Sequence, residues 1–358
     1  MSVSDLSPRV EDPMTTVEPV QARLREAVEA LSAIERRATT EGERRSADWV
    51  AEELRAAGAR EIRFSRYKAH STWAVTLVAH SVLVLGSFLV GGWISRAIAA
   101  IAAVSLEADA TGRSFWLRKL LPGKRVGTNV EARIPAAGGP RRTVVVVAHH
   151  DAAHNGFIWH PRTVDAGRRL AARTGTTPSY MGLPLMAMVA IAAGPALLQR
   201  IGLAVLGISI MLSVQAAFSR TVPGANDNAT GVAGLLELGR RLARNPIDGL
   251  EVILLSPGGE EAGGVGIAGW LKQERANLDP ATTLFVGLDS IGLVSLSSRH
   301  ASARQGATAR RTSSLSSAPL IGRGSLGHGG WGWAPSAILW SCAIGASTRF
   351  PCSPGETE

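Results

Sequence analysis

The chain has 358 residues, 38 Lys and Arg against 29 Asp and Glu, a net charge of +9 and 46% hydrophobic residues. Its length gives ample core for one large α/β domain or two smaller ones. The basic residues are scattered or flank apolar blocks, with no nucleic-acid motif and little aromatic interleaving, which argues against nucleic acid as a partner. Cys342 and Cys352 both lie in the last stretch, so neither a disulfide framework nor a thiolate zinc site is implied.

Residues 1–18 are polar and partly acidic, unlike a secretory signal, and read as a disordered N-terminus. Apolar positions recur at helical spacing over 19–36 and 41–57, with Gly58 placed as a C-cap. EIRFSRY alternates as a half-buried strand does, so 19–72 begins an α/β domain. Residues 73–94 are almost free of charge and long enough to span a hydrocarbon layer about 30 Å thick. AIAAIAAVSL follows Ser95 and Arg96 as a shorter return, making 73–106 an inserted membrane segment.

The domain resumes over 107–179, where TNVEARI and TVVVVAHHD read as strands, the second apolar enough to be central in a parallel sheet. A second apolar block, 180–218, is divided by Gln199 and Arg200 into two segments and reads as a membrane hairpin; Pro184 and Pro195 keep a pair of buried core helices open as the alternative. Over 219–293 come an amphipathic helix, GVAGLLELGRRLARNP, and two further strands, LEVILLSPGGEE and TLFVGLDSIG. The expected fold class is α/β, a mixed, mainly parallel sheet with helices on both faces, interrupted by two inserted transmembrane helical hairpins. Arg63, Arg66, Lys68, Arg118, Lys119, Lys124, Arg125, Arg168, Arg169 and Arg173 fall on the domain side, while Arg96 and Arg200 stand at the hairpin tips. The positive-inside rule then gives an integral protein of the plasma membrane, with the lipid bilayer as a partner and the domain in the cytoplasm.

Each of the three apolar strands ends in metal-type ligands: His149 and Asp151, Glu260 and Glu261, then Asp289. Parallel strand ends share one edge of a sheet, where open α/β proteins bind ligands. GANDNATG adds Asp227 in the loop before a helix, where free backbone donors hold a carboxylate. A polar surface loop predicts no such convergence. His150 and His154 form an alternative zinc pair only if their segment is helical, His80 reads as a bundle-facing or interfacial polar residue, and Glu237 as a solvated helix charge.

The stretches AHHD, PGANDNATGVAGLLELGR, LLSPGGEEAGGVG and FVGLDSIG, in this order and in these contexts, resemble the di-zinc aminopeptidases, a family that also includes the glutaminyl cyclases. The resemblance covers 126–293 well and 20–72 loosely, leaving the apolar blocks as insertions. It implies a zinc exopeptidase-like fold and two zinc ions. His149 and Asp289 would share one zinc, Glu261 would bind the other, Asp227 would bridge both, and Asn228 would occupy the tight turn. Asp151 would orient His149, and Glu260 would be the general base. The implied activity is a membrane-anchored aminopeptidase acting on the N-termini of peptides or proteins. A catalytically impaired membrane scaffold and a glutaminyl cyclase-like transferase are the alternatives.

The family's last His ligand has no clear counterpart. Residues 294–358 contain no Lys or Asp, and their only acids are Glu356 and Glu358. That stretch reads as frameshifted or misassembled text, or as a disordered Ser/Gly/Arg tail, and His300 and His328 are poor substitutes for the ligand.

Overall fold

The computed structural model describes residues 13–175 and 181–293; the expectations for 1–12 and for 294–358 lie outside them. Helix α1 spans Pro13–Ser32, so it begins inside the stretch expected to be disordered, and α2 spans Glu41–Ala56. The strands are β1 (Glu61–Ala69), β2 (Arg125–Ile134), β3 (Ala137–Val147), β4 (Asp248–Ser256) and β5 (Thr283–Gly287). They form one sheet in the order β1-β2-β4-β3-β5. β3 pairs in parallel with β4 and β5, while β2 is antiparallel to both β1 and β4. The sheet is mixed, as expected, with β2 the reversed strand.

Side chains alternate across β3 as the pleat requires. Val146 joins Val130 and Leu254 beneath Leu31 of α1, Val50 and Leu54 of α2, and Leu235 and Leu236 of α9 (Thr230–Arg244). Val145 and Val147 face the other way with Ile253 and Leu255, covered by Ile267 and Trp270 of α10 (Val265–Glu274). Both faces of the sheet are therefore covered, and its core is apolar through the thickness. Glu237 is not the freely solvated charge expected: its carboxylate lies 3.0 Å from Arg23 and 3.2 Å from Arg241, tying α9 to α1.

The two apolar blocks are helical hairpins, with boundaries that differ from those expected. Residues 73–94 are not one helix: α3 (Ala74–Ser87) ends before Gly91 and Gly92, both left-handed, and α4 (Gly92–Ala110) starts there. Two consecutive residues at positive φ cannot continue a right-handed helix, and glycine adopts that conformation at little cost. The second block breaks at Gly194–Pro195, between α7 (Gly182–Ala193) and α8 (Ala196–Ala217), so Gln199 and Arg200 lie within α8. Pro195 lacks the amide a continuing helix would need. The Gln199 side chain instead donates 3.0 Å to the freed Gly194 carbonyl, as does Arg96, 3.1 Å away, from the other hairpin. The two hairpin tips thus meet at one end.

The four helices pack as a bundle through Val84, Ala102, Leu106, Met188, Ile191 and Leu206. His80 faces inward, as expected, with Nε2 2.9 Å from Ser105 Oγ. The outer surface is apolar as well, with Leu89 94%, Trp93 76% and Phe218 88% exposed. Among the described residues, one helix, α8, is long and apolar enough to cross a membrane. α3 and α7, with 14 and 12 residues, reach only about 20 Å at 1.5 Å per residue. The short α5 (Trp116–Leu120) packs on α3 and α4, and α6 (Pro161–Thr174) is an amphipathic helix without a buried residue.

Candidate metal centre

The parallel strands β3, β4 and β5 deliver their following loops to one edge. After Val147 the backbone stays registered to β4's continuation for three more residues, through Ala148 N to Leu255 O and His150 N to Pro257 O, both 3.0 Å. That registration fixes His149 and Asp151 over the start of the Glu260–Glu261 turn. Asp151 is fully buried, and its two carboxylate oxygens accept the backbone N–H groups of Glu260 and Glu261, each at 3.0 Å. Its Oδ1 also lies 3.3 Å from His149 Nδ1. One side chain therefore sets both the imidazole and the double-glutamate turn, which leaves His149 Nε2 facing the open side.

On that side Nε2 stands 3.1 Å from Asp227 Oδ1 and 3.9 Å from Glu260 Oε2. His149, Asp227 and Glu261 each offer a ligand atom within 4.8 Å of the others. Asp289 stands outside this tight group, although its charge reaches Glu260. Asn228 ties its loop to that of Asp227: its Nδ2 donates to Leu288 O at 2.8 Å, while its Oδ1 accepts from Gly231 N at 3.0 Å and Ser290 N at 3.3 Å. The segment holding His150 and His154 is not helical. His150 Nδ1 meets Ser256 Oγ at 3.0 Å and His154 Nε2 meets Ser71 O at 3.2 Å, so the alternative pair does not form.

Two supports under the site carried no sequence signal. Arg36, fully buried midway along the α1–α2 connection, donates to Leu31 O at 2.8 Å, Pro223 O at 2.6 Å and Gly224 O at 2.7 Å. Its own carbonyl accepts Ala152 N at 3.0 Å, so it braces the loops that carry Asp227 and Asp151 together. Glu43, also buried, accepts the Tyr67 hydroxyl at 2.9 Å and Thr128 N at 2.8 Å, and also the Thr39 amide. A side chain at Gly258 would collide with the Glu43 carboxyl and one at Gly259 with the Tyr67 ring, so only glycine lets the loop before Glu260 settle this low. The partners of the Arg36 side chain are backbone carbonyls, and those of Pro223 and Gly224 lie far away in the chain, which no residue pattern encodes.

The electrostatics are those of a site short of positive charge. Burial raises Glu260, with Asp151, Asp227 and Asp289 adding to the rise against the pull of His149, and its pKa reaches about 8. Burial and the charges of Glu260 and Asp227 lift Glu261 well above the ordinary carboxylate value. Burial alone would lower His149, but Glu260, Asp151 and Asp227 raise it well above an ordinary imidazole. Burial would likewise raise Asp151, yet His149, His150 and the Glu260 amide hold it below the usual value. Glu261 Oε1 is buried with no hydrogen-bond partner. An imidazole and two carboxylates, one of them with an unpartnered buried oxygen, converge on one point and fit a borderline cation such as zinc.

A pH dependence follows. Glu260 releases its proton near pH 8 in the folded chain against 4.5 ordinarily, Glu43 near pH 7, chiefly through burial, and His149 is raised as well. A raised folded pKa stabilises fully below the unfolded value, and that contribution is lost as pH climbs through the folded one. His150, lowered by burial to about 4, acts oppositely but only up to 6.5. Metal-free protein should therefore lose stability from about pH 6.5 to about 8, and added zinc should flatten the loss. Thermal denaturation across that interval, with and without zinc, checks this; a metal-free protein growing more stable there would contradict it.

Fold and site together define an α/β protein with a cluster of candidate metal ligands on the carboxyl edge of its sheet. Residues 212–317 match peptidase family M28, the kind of family the motifs resemble. The matched stretch contains Asp227, Glu260, Glu261 and Asp289. No match is found among curated proteins. Solved structures similar to this chain include an aminopeptidase from Aneurinibacillus sp. strain AM-1, at 14% identity and a TM-score of 0.38, covering 75% of this chain and 70% of that one. A Zn-dependent exopeptidase from Parabacteroides distasonis is 12% identical at a TM-score of 0.38, covering 76% and 61%. A glutaminyl cyclase from Fimbriiglobus ruber is 12% identical at a TM-score of 0.39, covering 75% and 60%. The chain thus spans less than two thirds of the last two proteins' lengths.

Proposed function

We propose that the chain is a membrane-seated zinc aminopeptidase that hydrolyses the N-terminal peptide bond of peptides or proteins. The observation that carries this reading is the convergence of His149, Asp227 and Glu261 beside Glu260. His149, Asp227 and Glu261, with Asp289 at the neighbouring strand end, would hold the metal, which would supply Lewis-acid polarisation of the scissile carbonyl and acidify water. Glu260, 3.9 Å from His149 Nε2 and beside the ligand group, would take the proton of the attacking water and pass it to the departing amine once a bound cation holds it ionised. Asp151, 3.3 Å from His149 Nδ1, is the carboxylate that would orient the imidazole so that Nε2 points outward. Cyclisation of N-terminal glutamine is the other outcome that the same family allows, and a scaffold without turnover is the third.

The apolar outer face of the bundle and the span of α8 support seating in a bilayer. The flanking basic residues support a domain on the cytoplasmic side.

Detergent-purified protein is to be assayed on aminoacyl amides and on glutaminyl peptides, with carbonate-resistant membrane association measured in parallel. Zinc-dependent release of the N-terminal residue supports the proposal; cyclisation alone, or zinc without turnover, replaces it with one of the other two readings. Asp151→Asn should keep the fold and lower zinc affinity by about 10–100-fold, as loss of an orienting carboxylate does. Chelator competition measures this, and an unchanged affinity would remove Asp151 from the site.

A further inference from the structure

We propose that Arg118 is a positioning residue for the Glu260–Glu261 turn and that, through Asp109, it makes the placement of that turn depend on the seating of the helical bundle. The proposal builds on the zinc-hydrolase reading. Arg118, one of the basic residues expected on the domain side of the bilayer, is only 4% exposed, and Asp109, in the last turn of α4, is 1% exposed. Arg118 Nε donates to Asp109 Oδ2 at 3.1 Å, and Nη2 donates to Asp109 Oδ1. Asp109 Oδ2 also accepts from Thr76 Oγ1 of α3 at 3.1 Å, so both helices of the first hairpin hold the carboxylate.

The remaining arm of the guanidinium leaves the bundle. Nη1 donates to the Ala262 carbonyl at 2.6 Å, one residue beyond Glu261, and the guanidinium lies 5.2 Å from the centre of the Phe115 ring. Ala262 is fully buried, and the turn closes back on itself through Gly263 N and Gly264 N to Glu260 O, both 2.8 Å. A side chain at Gly263 would press on Arg118, so the turn and the guanidinium are seated directly against one another. The Glu260–Glu261 turn is therefore gripped from two sides. Asp151 holds its amides on the sheet side, and Arg118 holds its carbonyl on the bundle side.

Only a planar, forked donor meets Asp109 with two nitrogens while a third reaches Ala262. Lysine keeps the charge and loses the fork. Asp109→Asn touches nothing in the turn, so any effect on it there must travel through Arg118.

The test is hydrogen exchange by mass spectrometry on the full-length, detergent-purified chain, comparing wild type with Arg118→Lys and Asp109→Asn. The readout is the segment 258–266, with strands β1 and β2 as the reference, alongside zinc content and kcat against KM. Amides of 258–266 should exchange about tenfold faster or more in both variants. The β1–β2 ladder should be unchanged, and kcat should fall with little change in KM. Unchanged exchange at 258–266 in folded Arg118→Lys would overturn the proposal. Faster exchange throughout the chain in both variants would also overturn it, by reducing the pair to a general stabilising contact. Acceleration in Arg118→Lys without acceleration in Asp109→Asn would overturn the coupling to the bundle. Should wild type carry no zinc, the proposed function fails while the exchange comparison still decides this inference.

Discussion

Glu260→Gln is expected to hold its zinc and to lose about 10²–10⁴ in kcat, the range that a positioned proton-transfer group supplies. The two halves of this result come from different atoms. The tight ligand group is His149, Asp227 and Glu261, with Glu260 beside it at 3.9 Å from His149 Nε2, so an amide in its place leaves the ligands intact. The backbone N–H of residue 260 still donates to Asp151, so the turn keeps its anchor. Glutamine matches glutamate in volume, so the turn keeps its packing. What disappears is the capacity to take a proton from water. Steady-state kinetics on an aminoacyl amide, beside zinc analysis of the same sample, reads both halves; turnover within a few-fold of wild type would remove Glu260 from the chemistry.

Asp227→Ala should do the reverse and abolish the metal. Its Oδ1 lies 3.1 Å from His149 Nε2, and it occupies the loop through which the α9 side of the fold reaches the site. Zinc affinity should fall by more than about 100-fold, beyond the loss that an orienting partner such as Asp151 produces. Folding should survive, because the Asp227 side chain is 56% exposed and its loop is braced by other residues. Arg36 grips the carbonyls of Pro223 and Gly224, and Asn228 joins Gly231 to Leu288. Equilibrium dialysis with zinc, paired with circular dichroism, separates the two effects. Retained zinc in a folded variant would mean that Asp227 is no ligand.

The site was more legible in the sequence than its supports were. Val144 to Val147 and Val252 to Leu255 are uninterrupted apolar runs, and a strand buried on both faces reads that way. Parallel pairing then brings the residues after each run to one edge whatever the loop details. His149, Glu260 and Glu261 could therefore be placed before any geometry was known. Arg36, Glu43 and Arg118 could not. Each acts on groups far away in the chain, mostly backbone carbonyls and amides, and a buried arginine looks like a solvated one in the sequence. The helix boundaries in the apolar blocks failed for a related reason. Hydropathy sees apolar character but not backbone direction, so Gly91–Gly92 passed unnoticed inside a long apolar stretch. Gln199 and Arg200 were mistaken for the break because they are polar, when that polarity serves in part to cap the break at Gly194.

The central claim is that this edge of the sheet binds zinc, and elemental analysis of the detergent-purified wild-type chain after exhaustive dialysis tests it most directly. The account predicts about one to two zinc ions per folded chain, released on protonation of the ligands at acid pH. A folded chain that takes up no zinc, even from micromolar solution, would contradict it.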